Sequence, residues 1–548
     1  MNTVVRKTAL MSVYMLLSLL LIPTFLRAQN KEVAPSPNTA ADTADTKQVS
    51  PIPKTAADTA AVKKVAPPPK VGADSAAIQQ RIEIHSETGL GTKWHSVRDS
   101  IFYTKYDKYG YLKDDDPVYN PRKPVWYVGM KIIFTCAFVN SFDRYALNAD
   151  YAKISLHTWK HNIKTGWEWD TDRFGMNFFF HPYSGGSYTN SALSSGYNYY
   201  QAFPFAFAGS LIWEYFGENT LPSYNDQVNT PISGLLFGEV SYRISSNILD
   251  DRATGAERFW RELGATVVDP SRAFGRLISG KMWKHTSREV YQKEPFNVTL
   301  LSGLRRLNNG RKIGTGTNSA TFDLHIDYGN PFEVRSRKPF DYFKGRMDFN
   351  FGVGRKTLDN VSAVGIIYGN NIQIGPLEML VGLFQHYDYW DNKTFELGTI
   401  NFGGGVVSKL PLTKNIQFYT NVHLGVVPLA GNSTQYGPND TTQFRDYNYG
   451  DGLGGNLEST LEVGRAASIS FIGYYNWIHT LVGHKGDHYI GVIRPNLELR
   501  IIKNFSLGFE HFAYYSDRYP KDFHPIHLVR TEQRLYLKVY FEQFKRKD

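Results

Sequence analysis

Residues 321–328 read TFDLHIDY. In an extended chain Phe322, Leu324, Ile326 and Tyr328 share one face, and Thr321, Asp323, His325 and Asp327 share the other. The same alternation returns in FKGRMDFNFGV (343–353). There Phe343, Met347, Phe349, Phe351 and Val353 oppose Lys344, Arg346, Asp348 and Asn350. It returns again in IRPNLELRI (493–501), where Ile493, Leu497, Leu499 and Ile501 oppose Arg494, Asn496, Glu498 and Arg500. Period two with one wholly polar face specifies half-buried strands and excludes helices. Two architectures satisfy it. In a soluble sandwich the apolar face is the core; in a membrane barrel it meets lipid, and the ionised face lines a wet lumen.

The connections favour the barrel. LTKN (412–415), GRAA (464–467) and KN (503–504) are tight turns, whereas 428–451, 479–488 and 515–528 read as long polar loops. Short turns at one end and long loops at the other are the barrel pattern. LYLKVYF (535–541) resembles the C-terminal strand signal of bacterial outer-membrane barrels, with EQFKRKD following it. The expected fold class is mainly β: a transmembrane antiparallel β-barrel of about 12 strands over 290–544, with a small helical module N-terminal to it or inserted in it. The count is least fixed at 354–378, and upstream strands are available to join.

Export is consistent with this. Residues 1–28 carry a basic start (Arg6, Lys7), an apolar run and Ala28 before a polar stretch, as a cleaved signal peptide does. Residues 29–80 form an Ala/Pro/Thr/Lys-rich linker in which TAADTA occurs twice, a composition unable to bury a core. No further run of about 18 apolar residues is seen, so no transmembrane helix is expected. A single cysteine, Cys136, excludes an internal disulfide framework and Cys-based zinc spacing. The formal charge of +10 is scattered over 548 residues and gives no nucleic-acid patch. The expected location is the outer membrane of a Gram-negative cell envelope, with outer-membrane lipid and the barrel-assembly machinery as partners and any small-molecule ligand undefined.

Residues 81–180 read as a mixed region with possible strands, GWEWDTDRFGMNFFF (166–180) among them. VWYVGMKIIFTCAFV (125–139) fits either a strand or a buried helix. In FFFHPYSGGSYTNSA (178–192) the phenylalanines are expected to end a strand. Pro182, Gly185 and Gly186 then turn the chain, and Asn190 or Ser191 caps the next helix. Four short helices follow within a module spanning 181–280: at 202–218, at 230–248, at 255–269, and one with Asp269 as N-cap and Pro270 at its first position. The module is expected at the periplasmic mouth of the barrel or inside its lumen.

His181, Glu214, Glu218, Asp226 and Glu239 are the candidate site residues, because a histidine among carboxylates suits acid–base work or metal binding. Their spacing matches no metal motif, so no metal or cofactor is expected. The alternative is a histidine that ties down a turn. Phosphate-loop and nucleophile-elbow motifs are missing, and His386, His423 and His511 read as ordinary lumen, loop or interface residues.

NFFFHPYSGGSYTNSA, SLIWEYFGENTLPSYND and PISGLLFGEVSYR together resemble an uncharacterised domain-of-unknown-function family (number three-nine-four-three) found in exported proteins of Gram-negative bacteria. The matching positions are Asn177, His181, Pro182, Gly186, Tyr188, Ser210, Trp213, Glu214, Glu218, Ser223, Asp226, Gly234, Gly238 and Glu239, within about 165–280. The resemblance implies an envelope protein and no particular activity. The leading expectation is a non-enzymatic outer-membrane barrel serving transport, as a plugged pore, or in envelope structure. The alternative is an outer-membrane enzyme acting on lipid or glycan through the His/Glu cluster. A soluble periplasmic sandwich is the third reading.

Overall fold

The alternating segments become a closed antiparallel barrel. The computed structural model describes residues 115–352, 357–433 and 446–542. The expected signal peptide, the linker and the first part of the mixed region lie outside the described residues. Twelve strands close the barrel: β1 Phe296–Leu307, β2 Thr317–Tyr328, β3 Phe343–Phe351, β4 Leu358–Ile374, β5 Leu377–Asp391, β6 Glu396–Pro411, β7 Ile416–Ser433, β8 Tyr447–Val463, β9 Ala467–Val482, β10 Gly486–Ile502, β11 Phe505–Pro520 and β12 Ile526–Glu542. Each pairs with its neighbours in sequence, and β1 pairs with β12. No upstream strand joins among the described residues.

The turns at 375–376, 412–415, 464–466 and 503–504 lie at the end where β1 begins and β12 finishes. The opposite end differs from expectation at 479–488 and 515–528. Those stretches are mostly strand, and the connections shrink to 483–485 and 521–525. Their polar residues pair along the ladder, as in Asp487 with His479 and Asp517 with His527. The long connection 329–342 lies at the tight-turn end and reaches into the barrel. Phe332 there packs on the buried cluster of Tyr342, Ile366, Leu380, Phe384 and Val407.

The apolar face points outward. On β9 the outward row runs Ile469, Phe471, Tyr475, Trp477 and His479; on β10 it runs Leu499, Leu497, Ile493, Tyr489 and Asp487. Aliphatic residues give way to Tyr475, Trp477, Tyr489, Tyr515 and Tyr519. Beyond these rings the exposed pairs His479–Asp487 and His527–Asp517 are each 3.0 Å apart. An apolar band, an aromatic girdle and then charge is the profile of a lipid-facing barrel wall. Leu497, 43% exposed on this face, should not tolerate charge. Leu497→Arg is expected to lose about 2–4 kcal/mol of folding stability in lipid, readable by urea titration of refolded protein. Wild-type stability in that variant would remove the wall from lipid.

Contrary to the expected wet lumen, the interior is buried in the half away from the tight turns and solvent-accessible only toward the tight-turn end, where Glu458 keeps 22% of its side chain exposed. Lys344 and Arg346 on β3 reach Glu458 on β8 at 2.8 and 2.7 Å, straight across the barrel. Arg305 bridges Asp359 (3.0 Å) and Glu532 (2.9 Å), and Arg494 meets Glu510 at 2.7 Å. Trp390, Phe395, Ile478, Phe512 and Tyr514 pack together nearer the other end. Charges facing a buried interior must be paired, and this pairing explains the strict ionised face.

Seven α-helices precede the barrel among the described residues: α1 Val125–Tyr145, α2 Leu156–Thr165, α3 His181–Leu193, α4 Tyr199–Ile212, α5 Tyr224–Ile248, α6 Gly255–Val268 and α7 Pro270–Ile278. The last starts as expected, with the Asp269 side chain accepting from the Arg272 N–H. α5 begins earlier than expected, behind an N-cap at Ser223, so Pro231 sits inside it. α1 corrects the expectation of no membrane-length helix. Its 21 residues are long and apolar enough to cross a bilayer, and Trp126, Met130, Phe134 and Phe138 are exposed on it.

The module does not sit in the lumen; α5 reaches the connection at the tight-turn mouth through Arg243, which donates to the Pro339 carbonyl at 2.7 Å. The module packs on the outside of the barrel. On β5, Leu383 is 44% exposed on the lipid face. Gln385, Tyr387 and Tyr389 continue that face, while Phe384, His386 and Trp390 point inward. Tyr199 of α4 donates to Gln385 (2.8 Å), Phe237 of α5 packs edge-on against Tyr387, and Phe174 stacks near Tyr389. Gly398 and Gly431, paired across β6 and β7, leave a flat seat for Phe178; a Cβ on either would fall within 2.3 Å of its ring.

Candidate functional site

FFFHPYSGGSYTNSA forms a helix, not a strand followed by a turn. Residues 176–180 make one widened, π-type turn that runs directly into α3. Pro182 therefore falls inside a continuous helical run, and its missing N–H leaves a carbonyl one turn back for another donor. Gly185 and Gly186 lie mid-helix against α5, and Asn190 and Ser191 are interior to α3 rather than caps. A widened turn displaces carbonyls from their usual donors. The Phe178 carbonyl accepts from Tyr387 on the barrel, and the Asn177 carbonyl accepts from the Asn229 side chain. The stretch 166–175, expected as strand, keeps only an isolated bridge between Glu168 and Ser223.

These elements bring His181, Glu214 and Asp226 together. One ligand-type atom from each lies within 4.8 Å of the others, and His181 Nδ1 is 3.8 Å from Asp226 Oδ1. Glu214 sits in a second widened turn, Trp213–Gly217, at the end of α4. Asp226 is in the first turn of α5. Ser223 organises both carboxylates: its N–H donates to Glu214 Oε2 at 2.8 Å, and its hydroxyl donates to Asp226 Oδ2. Glu214 and Asp226 are 0% and 1% exposed, and His181 is 7% exposed. Glu214 Oε1 and Asp226 Oδ1 meet no donor.

Asp170 joins them and was missed from sequence. It lies against Asp226, close enough to share a proton with it. Its Oδ1 accepts from Asn177 Nδ2 (2.6 Å) and from the Tyr449 hydroxyl (2.9 Å). Burial raises the Asp170 carboxyl, but its bond with Asp226, the nearby imidazole, Asn177 and Tyr449 outweigh that and hold it below the usual range. Asp172, two residues on, is pushed up to about 7 by burial and then by the Asp170 charge. Burial, followed by the charge on Glu214, holds Glu218 well above the ordinary carboxyl range. The opposing directions follow from unequal access to donors within one cluster.

Glu239 is not part of this group. It lies 13 positions beyond Asp226 on α5, about 20 Å along the helix, and accepts from Arg243 at 3.0 Å. Tyr447 and Tyr449 reach the site from β8, more than 260 residues away in sequence. The alternation W-E-W-D concealed Asp170 by imitating a strand.

Residues 166–271 match one family model. Its description is Domain of unknown function (DUF3943). The matched segment contains all five candidate site residues, Asp170 and the Phe178 contact with the barrel. No curated protein matches the chain. Among solved structures, the NanC porin is similar at 10% identity and a TM-score of 0.26, covering 44% of this chain and 98% of its own. The outer membrane channel DcaP of Acinetobacter baumannii is similar at 8% identity and a TM-score of 0.21, covering 45% and 96%. The KdgM porin is similar at 8% identity and a TM-score of 0.20, covering 45% and 99%.

Proposed function

We propose that this protein is a closed outer-membrane barrel of a Gram-negative envelope that serves as a lipid-embedded scaffold, holding the helical module against its outer wall. Residues 1–28 would direct export. Both barrel ends of the chain, at Phe296 and Glu542, would face the periplasm with the tight turns. The observation that carries the reading is the filled lumen. Lys344, Arg346 and Glu458 bridge it across opposite walls, and the cavity left beside them is about 40 Å³, room for about three waters. Transport through the barrel would require this network to open.

Planar-bilayer recording of the purified full chain tests the proposal. No stable conductance steps are expected. Steady steps of the wild-type protein would replace the scaffold reading with a channel. A second reading, an enzyme acting on lipid or glycan through His181 and Glu214, is favoured by the cluster's position against the lipid-facing side of the wall.

A further inference from the structure

We infer that His181, Glu214 and Asp226 form a binding site for one divalent transition-metal ion of the Zn²⁺ or Mn²⁺ class. Three observations carry this. The first is the donor set: one imidazole nitrogen and two carboxylates, from α3, the turn after α4, and α5. Imidazole with carboxylate suits these ions, whereas Ca²⁺ and Mg²⁺ prefer all-oxygen shells. The second is orientation. Ser223 occupies one oxygen of each carboxylate and leaves Glu214 Oε1 and Asp226 Oδ1 without a donor, fully buried and beside the imidazole. The third is spacing. Metal bonds of about 2.0–2.2 Å put ligand atoms roughly 3–4 Å apart; here they lie within 4.8 Å, His181 Nδ1 and Asp226 Oδ1 at 3.8 Å. Side-chain rotations that shorten the widest spacing by about 1–2 Å close the set.

The charge balance agrees. Asp170 lies against Asp226, so a third carboxylate stands beside the donor set and adds to the negative charge that a bound cation would offset. A proton supplies one positive charge and a divalent ion supplies two. Asn177 and Tyr449 bond Asp170 and hold it at the edge of the site, the arrangement expected of groups that orient a metal shell.

A second grouping, Asp323, His325 and Asp348 in the lumen, provides the contrast. Arg534 Nη1 already lies 2.9 Å from Asp323 and 3.3 Å from Asp348. The cation is built in, so a metal would have to displace it.

The full chain, purified in detergent and stripped with chelator, should take up one equivalent of ZnCl₂ or MnCl₂ by elemental analysis after dialysis, beyond whatever surface histidines retain. That equivalent should disappear in Glu214→Gln and His181→Ala and persist in His325→Ala. Added ZnCl₂ or MnCl₂ should raise the melting temperature of wild type and not of Asp226→Asn, a near-isosteric change that preserves packing. CaCl₂ should do neither. Equal uptake by wild type and Glu214→Gln, with both folded by circular dichroism, would overturn the site. So would Ca²⁺ uptake that survives His181→Ala, since that describes a nonspecific acidic patch.

Discussion

Arg534→Met is expected to destabilise the barrel by about 3–5 kcal/mol, the cost of leaving buried charges without their counter-ion. Arg534 reaches Asp323 at 2.9 Å, Asp348 at 3.3 Å and Glu532 at 2.6 Å, and its guanidinium lies 4.3 Å from the Phe512 ring centroid. Arg534 and all three carboxylates are at most 1% exposed. Methionine nearly matches the stem but leaves buried Asp323 and Asp348 without their cation, and Glu532 with Arg305 alone. The measurement is the urea midpoint of the refolded protein in micelles. Converting the acids as well, in Arg534→Met with Asp323→Asn, Asp348→Asn and Glu532→Gln, should recover most of the loss. An unaltered midpoint in the single variant would mean that water reaches these groups and the lumen is open.

That prediction depends on something the sequence showed only in part. Period two placed Asp323, Asp348 and Glu498 on one face correctly, and twelve strands emerged where about twelve were expected. A single strand cannot report what stands across the barrel. Lys344 and Glu458 are 114 positions apart and meet only because β3 and β8 face each other. Whether a polar face is wet or dry depends on such pairs. The loop lengths failed for a related reason: Asp487, His479, Asp517 and His527 are polar because they stand above the lipid, not because the strands have ended.

The helices were harder to read. Four of them were placed close to their observed positions, because Asp269 with Pro270 and the apolar runs carry local signals. The stretch before His181 misled because Phe178–Phe180 and the W-E-W-D alternation imitate a strand, while the true determinant is the barrel wall. Phe178 fits on Gly398 and Gly431, and its carbonyl accepts from Tyr387. Residue type groups His181, Glu214 and Asp226, but the turn expected at 182–186 is helix, and it is the packing of α3 on α5 that brings them together. Asp170 and Tyr449 were not legible, because they join the site through tertiary contact alone. Glu239 shares the matched segment but belongs to an ion pair further along α5.

The same close approach gives the second large effect. Gly234→Leu should detach α3 from α5 while the barrel still forms. These helices cross almost backbone on backbone: a Cβ on Gly234 would lie 2.4 Å from the Gly185 carbonyl carbon, and one on Gly185 would lie 1.9 Å from the Thr230 carbonyl oxygen. Overpacking usually costs about 1–3 kcal/mol because flexible side chains can yield. Here the obstacle is main chain, so the cost should reach or exceed about 3 kcal/mol. Separating the two helices would also move His181 away from Asp226 and unseat Phe178 from Gly398 and Gly431. The barrel strands keep their own ladder, so folded migration on unheated gels should persist while protease cuts within 181–248. Gly129→Ala on α1 is the control, since nothing lies within 4 Å of a Cβ there; it should stabilise by about 0.5–1 kcal/mol through helix propensity. If Gly234→Leu resists protease as wild type does, the crossing is looser than the contact distances require.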